Sequence, residues 1–207
     1  MTHPTVNTAV IYYSSTGNVH ALATAVAEGA QKAGSDVRLR KVHELAPDSA
    51  IERNEQWSDH VSATGNVLEA TPADLDWADV VILGTPTRYG TPASQLGAFI
   101  DTTGPLWQQG RLADKVYTAF TSSATAHGGQ ESTLLALSHV FHHWGGIIVP
   151  PGYTDPIQFR SGNPYGTAHV SGSGQPPGET EIEAARYQAR RAVDLAAALK
   201  SGRRAAA

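Results

Sequence analysis

The sequence predicts an α/β fold in which five parallel strands alternate with helices that cover both faces of the sheet. Short apolar runs recur along the chain, and stretches with apolar residues at helical spacing separate them. After the first apolar run, hydroxyl side chains, a glycine and an asparagine lead directly into a helical pattern, as at a ligand-binding strand-to-helix turn. With 207 residues, 41% of them hydrophobic, the chain is expected to form a single soluble domain over 1–207.

Apolar runs bounded by turn residues predict strands over 6–13, 35–42, 79–84, 116–120 and 146–149. Charged and apolar residues alternate in the second run, through Arg38 and Arg40, which is typical of a half-exposed edge strand. An edge position for the second strand and a binding turn after the first strand favour the doubly wound, flavodoxin-like strand order 2-1-3-4-5.

Helices are predicted where apolar residues recur every three or four positions. They run from residue 19 to a stop at Gly34, from Pro72, from Thr91-Pro92 to near Gly104, over 130–144, and after a capping box at Thr180 to Glu183. Residues 43–70 are polar and weakly patterned, which predicts a loop or an irregular insertion. Residues 150–178 are rich in Gly, Pro and Ser and predict a long loop, of the kind that is often functional. Residues 201–207 are expected to fray into a disordered tail.

The composition excludes several classes of function. The absence of cysteine removes disulfides, thiolate metal sites and cysteine nucleophiles, including those of cysteine phosphatases. The formal net charge is -4 and the basic residues are dispersed, so no nucleic-acid partner is expected. No apolar run is long enough to cross a membrane, and residues 1–7 do not resemble a secretory signal, so the expected location is cytoplasmic.

The turn over 14–19 has the properties of a phosphate site. A helix N-terminus offers unpaired N–H groups and a partial positive charge, Ser14 and Thr16 add hydroxyls, and Gly17 permits close approach. The turn contains no Lys or Arg, which argues against a nucleoside triphosphate loop and suits a single phosphate. The alternative is that these residues only cap the helix, since Ser, Thr and Asn are ordinary capping residues.

Two further turns follow the third and fourth predicted strands, over 84–90 and 121–129. In the predicted topology the carboxyl ends of strands one, three and four meet at one end of the sheet. The first of these turns is stiffened by Pro86, so its amides can face a planar ring while Tyr89 lies against that ring. The second is small and rich in hydroxyls. Each turn alone also fits an ordinary strand-to-helix connection.

Four motifs carry a resemblance to a known family. They are Tyr-Tyr-Ser-x-x-Gly at 12–17, Gly-Thr-Pro-Thr-Arg-Tyr-Gly at 84–90, His-Gly-Gly-Gln-Glu at 127–131 and Asn-Pro-Tyr-Gly at 163–166. Through them the chain resembles the flavodoxin-like NAD(P)H:quinone oxidoreductases of the tryptophan-repressor-binding-protein (WrbA) type. The resemblance spans residues 10–199 and implies tightly bound FMN, NADH or NADPH as co-substrate, and a quinone as the second substrate.

The resemblance also implies a mechanism and a set of site residues. Hydride would pass from the nicotinamide to flavin N5 and then to the quinone, in two separate half-reactions. The FMN-binding residues would be Ser14, Ser15, Thr16, Gly17, Asn18, Val19, Pro86, Thr87, Arg88, Tyr89, Gly90, Ser122, Ser123, Ala124, Thr125, Ala126, His127, Gly128 and His143. Trp107, Thr16 and Tyr89 would contact substrate, with His143 and Trp107 as the catalytic residues. Family members form dimers and tetramers in which neighbouring subunits close the active site.

One feature of the sequence qualifies this assignment. Thr16 stands where the family often has an aromatic residue that touches the nicotinamide, and it gives a Ser-x-Thr-Gly-Asn sequence as in flavodoxins. A one-electron carrier that acts with protein partners is therefore the alternative function, and an interaction domain with an inactive site is a third. His139 and His143 are four residues apart, as a metal-binding pair would be, but no further ligand motif accompanies them and no metal is expected.

Overall fold

The computed structural model describes residues 5–206, with side chains as far as residue 203. Its strands are β1 (Val6–Tyr12), β2 (Ser35–Lys41), β3 (Val80–Arg88), β4 (Thr91–Pro92), β5 (Val116–Ser123), β6 (Ile147–Ile148) and β7 (Ala168–Val170). Its helices are α1 (Asn18–Lys32), α2 (Asp48–Ile51), α3 (Glu55–Ala63), α4 (Pro72–Trp77), α5 (Ser94–Asp101), α6 (Gly104–Gln108), α7 (Gln130–His143), α8 (Pro156–Ser161) and α9 (Glu179–Ala206).

The main strands form a parallel sheet in the order β2-β1-β3-β5-β6. The short β4 is antiparallel and pairs only with the end of β3. When β4 is left out of the numbering, this is the predicted order 2-1-3-4-5, and the predicted fold class is confirmed. The alternating charges of β2 lie on an edge strand, as the sequence predicted.

Both faces of the central strands are buried, because helices cover the sheet on each side. Along β1, Val10 joins a cluster with α1 and α9, while its neighbour Ile11 joins a second cluster on the opposite face. The first cluster is built from small and branched residues, including Leu22, Val26, Ala189 and Val193. The second contains larger side chains from α4, α5 and α7, including Leu75, Leu96, Leu137 and Phe141.

The position of the fifth strand is shared by two short segments. β6 pairs with the start of β5, and β7 pairs with its end, so the chain leaves the sheet between them and returns. The segment 150–178, predicted as a loop, therefore contains both α8 and β7. The loop prediction was wrong there because the long β5 exposes hydrogen-bonding groups at its carboxyl end, and residues 167–171 satisfy them: Thr121 N donates to Thr167 O and Ser171 N to Ser123 O.

The segment 43–70 is also more regular than predicted. It contains α2 and α3, and the Asn54 side chain caps α3 by accepting a hydrogen bond from Trp57 N at 3.1 Å. No residue of α3 is fully buried, so the segment lacks the apolar stripe by which a helix is recognised in a sequence.

Several boundaries differ from the sequence predictions. Strand β3 continues past residue 84 to Arg88 and β5 continues past residue 120 to Ser123, so the first part of each predicted turn, over 84–90 and 121–129, is strand. Thr91 and Pro92 form β4 rather than the start of a helix, and α5 begins at Ser94. Helix α9 begins at Glu179, and Glu181 accepts a hydrogen bond from Gly178 N, so the capping interaction lies two residues earlier than predicted. The segment expected to fray is helical as far as Ala206, because Ala and Arg residues continue the helix; residues 1–4 and 207 lie outside the description. Among the described helices, none has the length and apolar character needed to cross a bilayer.

Candidate functional site

The turns after β1, β3 and β5 enclose a cavity of about 360 Å³ at the carboxyl end of the sheet. That volume falls within the range of small-molecule sites. The cavity is lined by Ser14, Ser15, Thr16, Asn18, Val19, Pro86, Thr87, Arg88, Tyr89, Ser122, Ser123, Ala124, Thr125, Gly128 and Ser171. The structure thus brings together most of the residues that the sequence assigned to cofactor binding.

The first turn presents the N-terminus of α1 to this cavity. Gly17 has a φ of 97°, a left-handed conformation that favours glycine, and its N–H donates to Ser14 Oγ at 3.1 Å. The first intrahelical hydrogen bond runs from Ala21 N to Gly17 O, which leaves the amides of Asn18, Val19 and His20 without intrahelical acceptors. No acidic side chain lies in the first turn of the helix. This arrangement suits an anion.

The second turn is a tight hairpin that projects Tyr89. Strands β3 and β4 are joined by Tyr89 and Gly90, whose φ values of 52° and 81° are both positive, as in the preferred two-residue hairpin turns. The hydroxyl of Thr87 fixes the base of the hairpin by accepting from Gly90 N at 3.2 Å and from Thr133 Oγ1 at 2.8 Å. Tyr89 is fully exposed beside the cavity. A strained tyrosine on a rigid support is suited to contact a ligand.

Arg88 connects the first two turns. Its Nη2 donates to Ser15 Oγ at 3.3 Å, and its Nη1 donates to Thr87 O at 3.1 Å. The first turn, residues 14–19, contains no Lys or Arg. The tertiary structure nevertheless supplies a guanidinium beside it, from a strand more than seventy residues away.

The third turn begins inside β5. Ser122 and Ser123 are buried strand residues, and Ser123 Oγ donates to Thr125 O at 2.7 Å while accepting from Gln130 Nε2 at 2.8 Å. A Cβ atom on Gly128 would lie 2.9 Å from Thr125 O, so the turn requires a glycine there.

Not every predicted binding residue lines the cavity, and one lining residue was missed. Gly17, Gly90, Ala126 and His127 belong to the three turns but are absent from its wall. Ser171 lines the cavity although no sequence signal identified it. Its N–H donates to Ser123 O at 2.8 Å, because β7 places it beside the end of β5.

Glu44 anchors the end of β1 through a hydrogen bond from Tyr13, the residue that follows the strand. Its carboxylate accepts hydrogen bonds from Tyr13 OH at 2.9 Å, Trp57 Nε1 at 3.2 Å and Gln95 Nε2 at 2.8 Å, and from the backbone of Leu45 and Ala46. Burial and the Glu44 charge raise the pKa of Tyr13, which therefore stays protonated and donates. Tyr13 immediately precedes Ser14, so this network holds the turn in position.

His143 and Trp107 lie elsewhere in the chain. They line a separate cleft of about 380 Å³ together with Ile100, Asp101, Thr103, Gly104, His139, Val140 and Trp144. Trp107 Nε1 donates to His143 O at 2.9 Å, and 54% of the tryptophan surface is exposed. The structure therefore brings these two residues to each other but not to the three turns within one chain. Among the side chains described, those of residues 5–203, no three His, Asp or Glu groups lie together for a metal ion.

The residues of the cavity fit flavin mononucleotide. Open amides at the helix N-terminus and neighbouring hydroxyls suit a phosphate monoester, and the backbone of the second and third turns suits the polar edge of a planar ring. A parallel sheet in this order, with a first turn suited to an anion, is typical of the flavodoxin-like class of α/β protein.

Comparison with known proteins identifies the family within this class. The sequence model of the NADPH-dependent FMN reductase family matches residues 7–156, and the chain belongs to this family. It is 48% identical over 200 residues to a protein of Deinococcus radiodurans named NAD(P)H dehydrogenase (quinone), covering 96% of this chain and 99% of that one. It is 41% identical over 204 residues to a protein of the same name from Aromatoleum aromaticum, covering 95% and 98%.

A solved structure supports the same relationship. A flavodoxin described as a WrbA-like protein, from Agrobacterium tumefaciens, superimposes with a TM-score of 0.67 at 28% identity, covering 93% of this chain and 98% of that one. An archaeal flavodoxin superimposes with a TM-score of 0.61 at 14% identity, covering 92% and 98%, and shows the shared fold alone. The resemblance seen in the sequence motifs is thereby confirmed.

Proposed function

We propose that this chain is an FMN-dependent enzyme that reduces quinones by two electrons at the expense of NADH or NADPH. The observation that carries the proposal is the single cavity in which all three predicted turns meet. Relatives at 40–48% identity are named NAD(P)H dehydrogenase (quinone), and this supports the choice of substrates. Because the reaction would consume reduced nicotinamide coenzyme, we also propose a cytoplasmic location for a one-domain enzyme.

The first turn would bind the phosphate. Ser15, Thr16, Asn18 and Val19 line the cavity, and their hydroxyls and open helix amides would be the phosphate donors. Arg88 also lines the cavity and adds a positive charge beside Ser15. A site with neutral donors and the single cation of Arg88 suits a phosphate monoester. It lacks the lysine that nucleoside triphosphate loops use.

The second and third turns would hold the ring. The chemistry that FMN supplies when bound is hydride acceptance from NAD(P)H and two-electron reduction of a quinone. The backbone of residues 86–89 and 122–128 would position the ring edge, and the exposed Tyr89 would cover part of its face. The rigid hairpin keeps Tyr89 available without a conformational change, which limits the entropy lost on binding.

His143 and Trp107 would act through a subunit interface. Their cleft shares no lining residue with the flavin cavity, so a second copy of the chain is the route by which they would meet the ring. Exposed aromatic residues support such an assembly: Trp107 is 54% exposed and Phe159 is 69% exposed. We therefore propose a homodimer or homotetramer in which His143 stabilises the reduced flavin and Trp107 borders the quinone. Sedimentation analysis tests the assembly, and an unchanged flavin potential and turnover in His143→Ala would remove His143 from the site.

A sequential mixing experiment distinguishes a quinone-reducing enzyme from a one-electron carrier. The protein is reconstituted with FMN, then mixed anaerobically with NADH or NADPH, and benzoquinone is added last. The enzyme loses its flavin absorbance rapidly with nicotinamide alone and regains it with quinone. A flavodoxin-type carrier keeps its absorbance until a separate reductase is supplied. A protein that retains no FMN is neither, and that result would refute the proposal.

A further inference from the structure

Helix α3 packs behind the turn that the proposed function assigns to the flavin phosphate. His60 Nδ1 lies 3.6 Å from the position that a Cβ atom would take on Gly17. Earlier in the same helix, Gln56 Oε1 lies 2.9 Å from the corresponding position on Gly174, in the segment after β7. The inserted segment 43–70 thus contacts the back of the first turn and the segment that follows Ser171.

Two imidazoles and an ammonium group meet at this contact. The His60 ring centroid is 5.4 Å from that of His20, on the first turn of α1. His20 Nδ1 is 2.6 Å from Tyr12 OH, and Lys41 Nζ donates to Thr64 O at 2.8 Å. None of these side chains lines the 360 Å³ cavity, so they lie behind the phosphate turn and not within it.

Both imidazoles are neutral at pH 7 in this arrangement. Burial, then the charges of His20 and Lys41, lower the pKa of His60 to about 4. Burial and then Lys41 also lower the pKa of His20. The other titratable groups that face His60 across its cleft are Tyr12, Tyr13, His43, Glu44 and Glu69. A dianion arriving on the far side of the turn opposes the effects that keep the imidazoles neutral.

We propose that His20 and His60 are positioning residues that take up a proton when the FMN phosphate binds, and so maintain selectivity for FMN over riboflavin at mildly acidic pH. This inference rests on the proposed function, because it requires a phosphate at the first turn. It gives the inserted segment 43–70 a role: α3 brings a proton acceptor behind a turn that has no cation of its own.

The size of the effect follows from proton linkage. The second pKa of a phosphate monoester is about 6, so free FMN loses about nine-tenths of its dianion between pH 7 and pH 5. A site that binds only the dianion then weakens about tenfold over that interval. Uptake of a compensating proton by the histidine pair makes the loss much smaller, about threefold or less.

The test compares FMN with riboflavin, which lacks the phosphate. Dissociation constants are measured by quenching of flavin fluorescence from pH 7 to pH 5 in the wild type, His60→Gln and His20→Asn. His43→Gln is the matched control, because His43 is an exposed histidine of the same cleft paired with Glu69. We expect FMN affinity to fall about tenfold in the two variants, and threefold or less in the wild type and the control. Riboflavin affinity stays constant in all four.

A second measurement does not depend on any variant. Binding of the FMN dianion alone releases about 0.5 protons per FMN at pH 6, because the second phosphate pKa is about 6. Calorimetric titration of the wild type at pH 6, in buffers of different ionisation enthalpy, is expected to show clearly fewer protons released than this, because the histidine pair takes up part of them. Identical FMN profiles in wild type and His60→Gln, or release of the full amount of about 0.5 protons per FMN bound, would overturn the inference while leaving the proposed function intact. If the wild type quenches the fluorescence of neither flavin, it binds neither of them, and the proposed function itself is refuted.

Discussion

Replacing Glu44 by glutamine isolates the network beneath the first turn. In the folded protein the two carboxylate oxygens accept five hydrogen bonds, from Tyr13, Leu45, Ala46, Trp57 and Gln95. A glutamine side chain keeps one acceptor oxygen and presents an NH₂ group at the other position. The remaining oxygen is expected at the Oε1 position, which accepts from Leu45 N, Ala46 N and Gln95 Nε2. The NH₂ group therefore faces Tyr13 and Trp57. The Tyr13 hydroxyl can reverse and accept, but Trp57 Nε1–H can only donate, so it loses its partner.

The expected cost is about 2 kcal/mol of unfolding free energy. A hydrogen bond to a charged group contributes roughly 1.5–3 kcal/mol, and the half-exposed position of Glu44 reduces the value of each one. For a chain of this length, 2 kcal/mol lowers the melting temperature by roughly 4–8 °C. Glu69→Gln is the control, since Glu69 is exposed and bonded only to the exposed His43, and its loss costs about 0.5 kcal/mol or less.

The same variant changes the response to acid. Burial raises the pKa of Glu44, but hydrogen bonds from Ala46, Gln95, Tyr13 and Leu45 lower it by more, so the net pKa lies below the ordinary value of 4.5. The stabilisation from the ionised carboxylate is therefore complete above pH 4.5 and disappears as the pH falls through the pKa of the folded state. Urea unfolding from pH 7 to pH 3 should show a constant difference between wild type and Glu44→Gln above about pH 5, and a shrinking one below. A difference no larger than that of Glu69→Gln, or one that grows in acid, would refute the reasoning.

Three further predictions concern packing and the site. Gly84→Ala is expected to lower the unfolding free energy, measured in urea, by about 2–3 kcal/mol, because its Cβ would lie 2.2 Å from Phe120 Cζ. Gly97→Ala is the control: its Cβ would meet no atom within 4 Å, so the same measurement should find it neutral or stabilising. Tyr89→Asn should raise the unfolding free energy by up to about 1 kcal/mol, since asparagine tolerates the φ of 52°, while fluorescence titration shows weaker FMN binding. If the variant instead lost stability and FMN affinity by equal amounts of free energy, a ligand-contact role for Tyr89 would be contradicted. Trp107→Phe should leave FMN affinity unchanged and lower kcat/KM for benzoquinone about tenfold or more, and unchanged steady-state kinetics would separate Trp107 from the substrate.

The first turn shows how far the sequence reaches into the site. Strand ends of a parallel sheet meet at one edge, so the residues that follow β1, β3 and β5 had to lie together once the strand order was predicted. The local conformation also follows from sequence, because Gly17 and Gly90 occupy positive φ values that glycine adopts without strain.

Other parts of the site depend on contacts that leave no local signal. Ser171 reaches the cavity only because the fifth strand is split and β7 pairs with the end of β5. Arg88 reaches Ser15 across two strands. Because helix α3 has no buried apolar stripe, its sequence resembles that of a polar loop. A long-range contact attaches it to the rest of the molecule, the hydrogen bond from Trp57 Nε1 to the Glu44 carboxylate.

The sequence by itself determined the sheet order and the three turns, because apolar periodicity and glycine placement act over a few residues and restrict the backbone directly. Only the tertiary structure decided which side chains complete the cavity, where α3 lies, and that Trp107 and His143 occupy a separate cleft. These features arise from packing between segments far apart in the chain, and the free energy of such contacts depends on three-dimensional distances that local patterns do not encode.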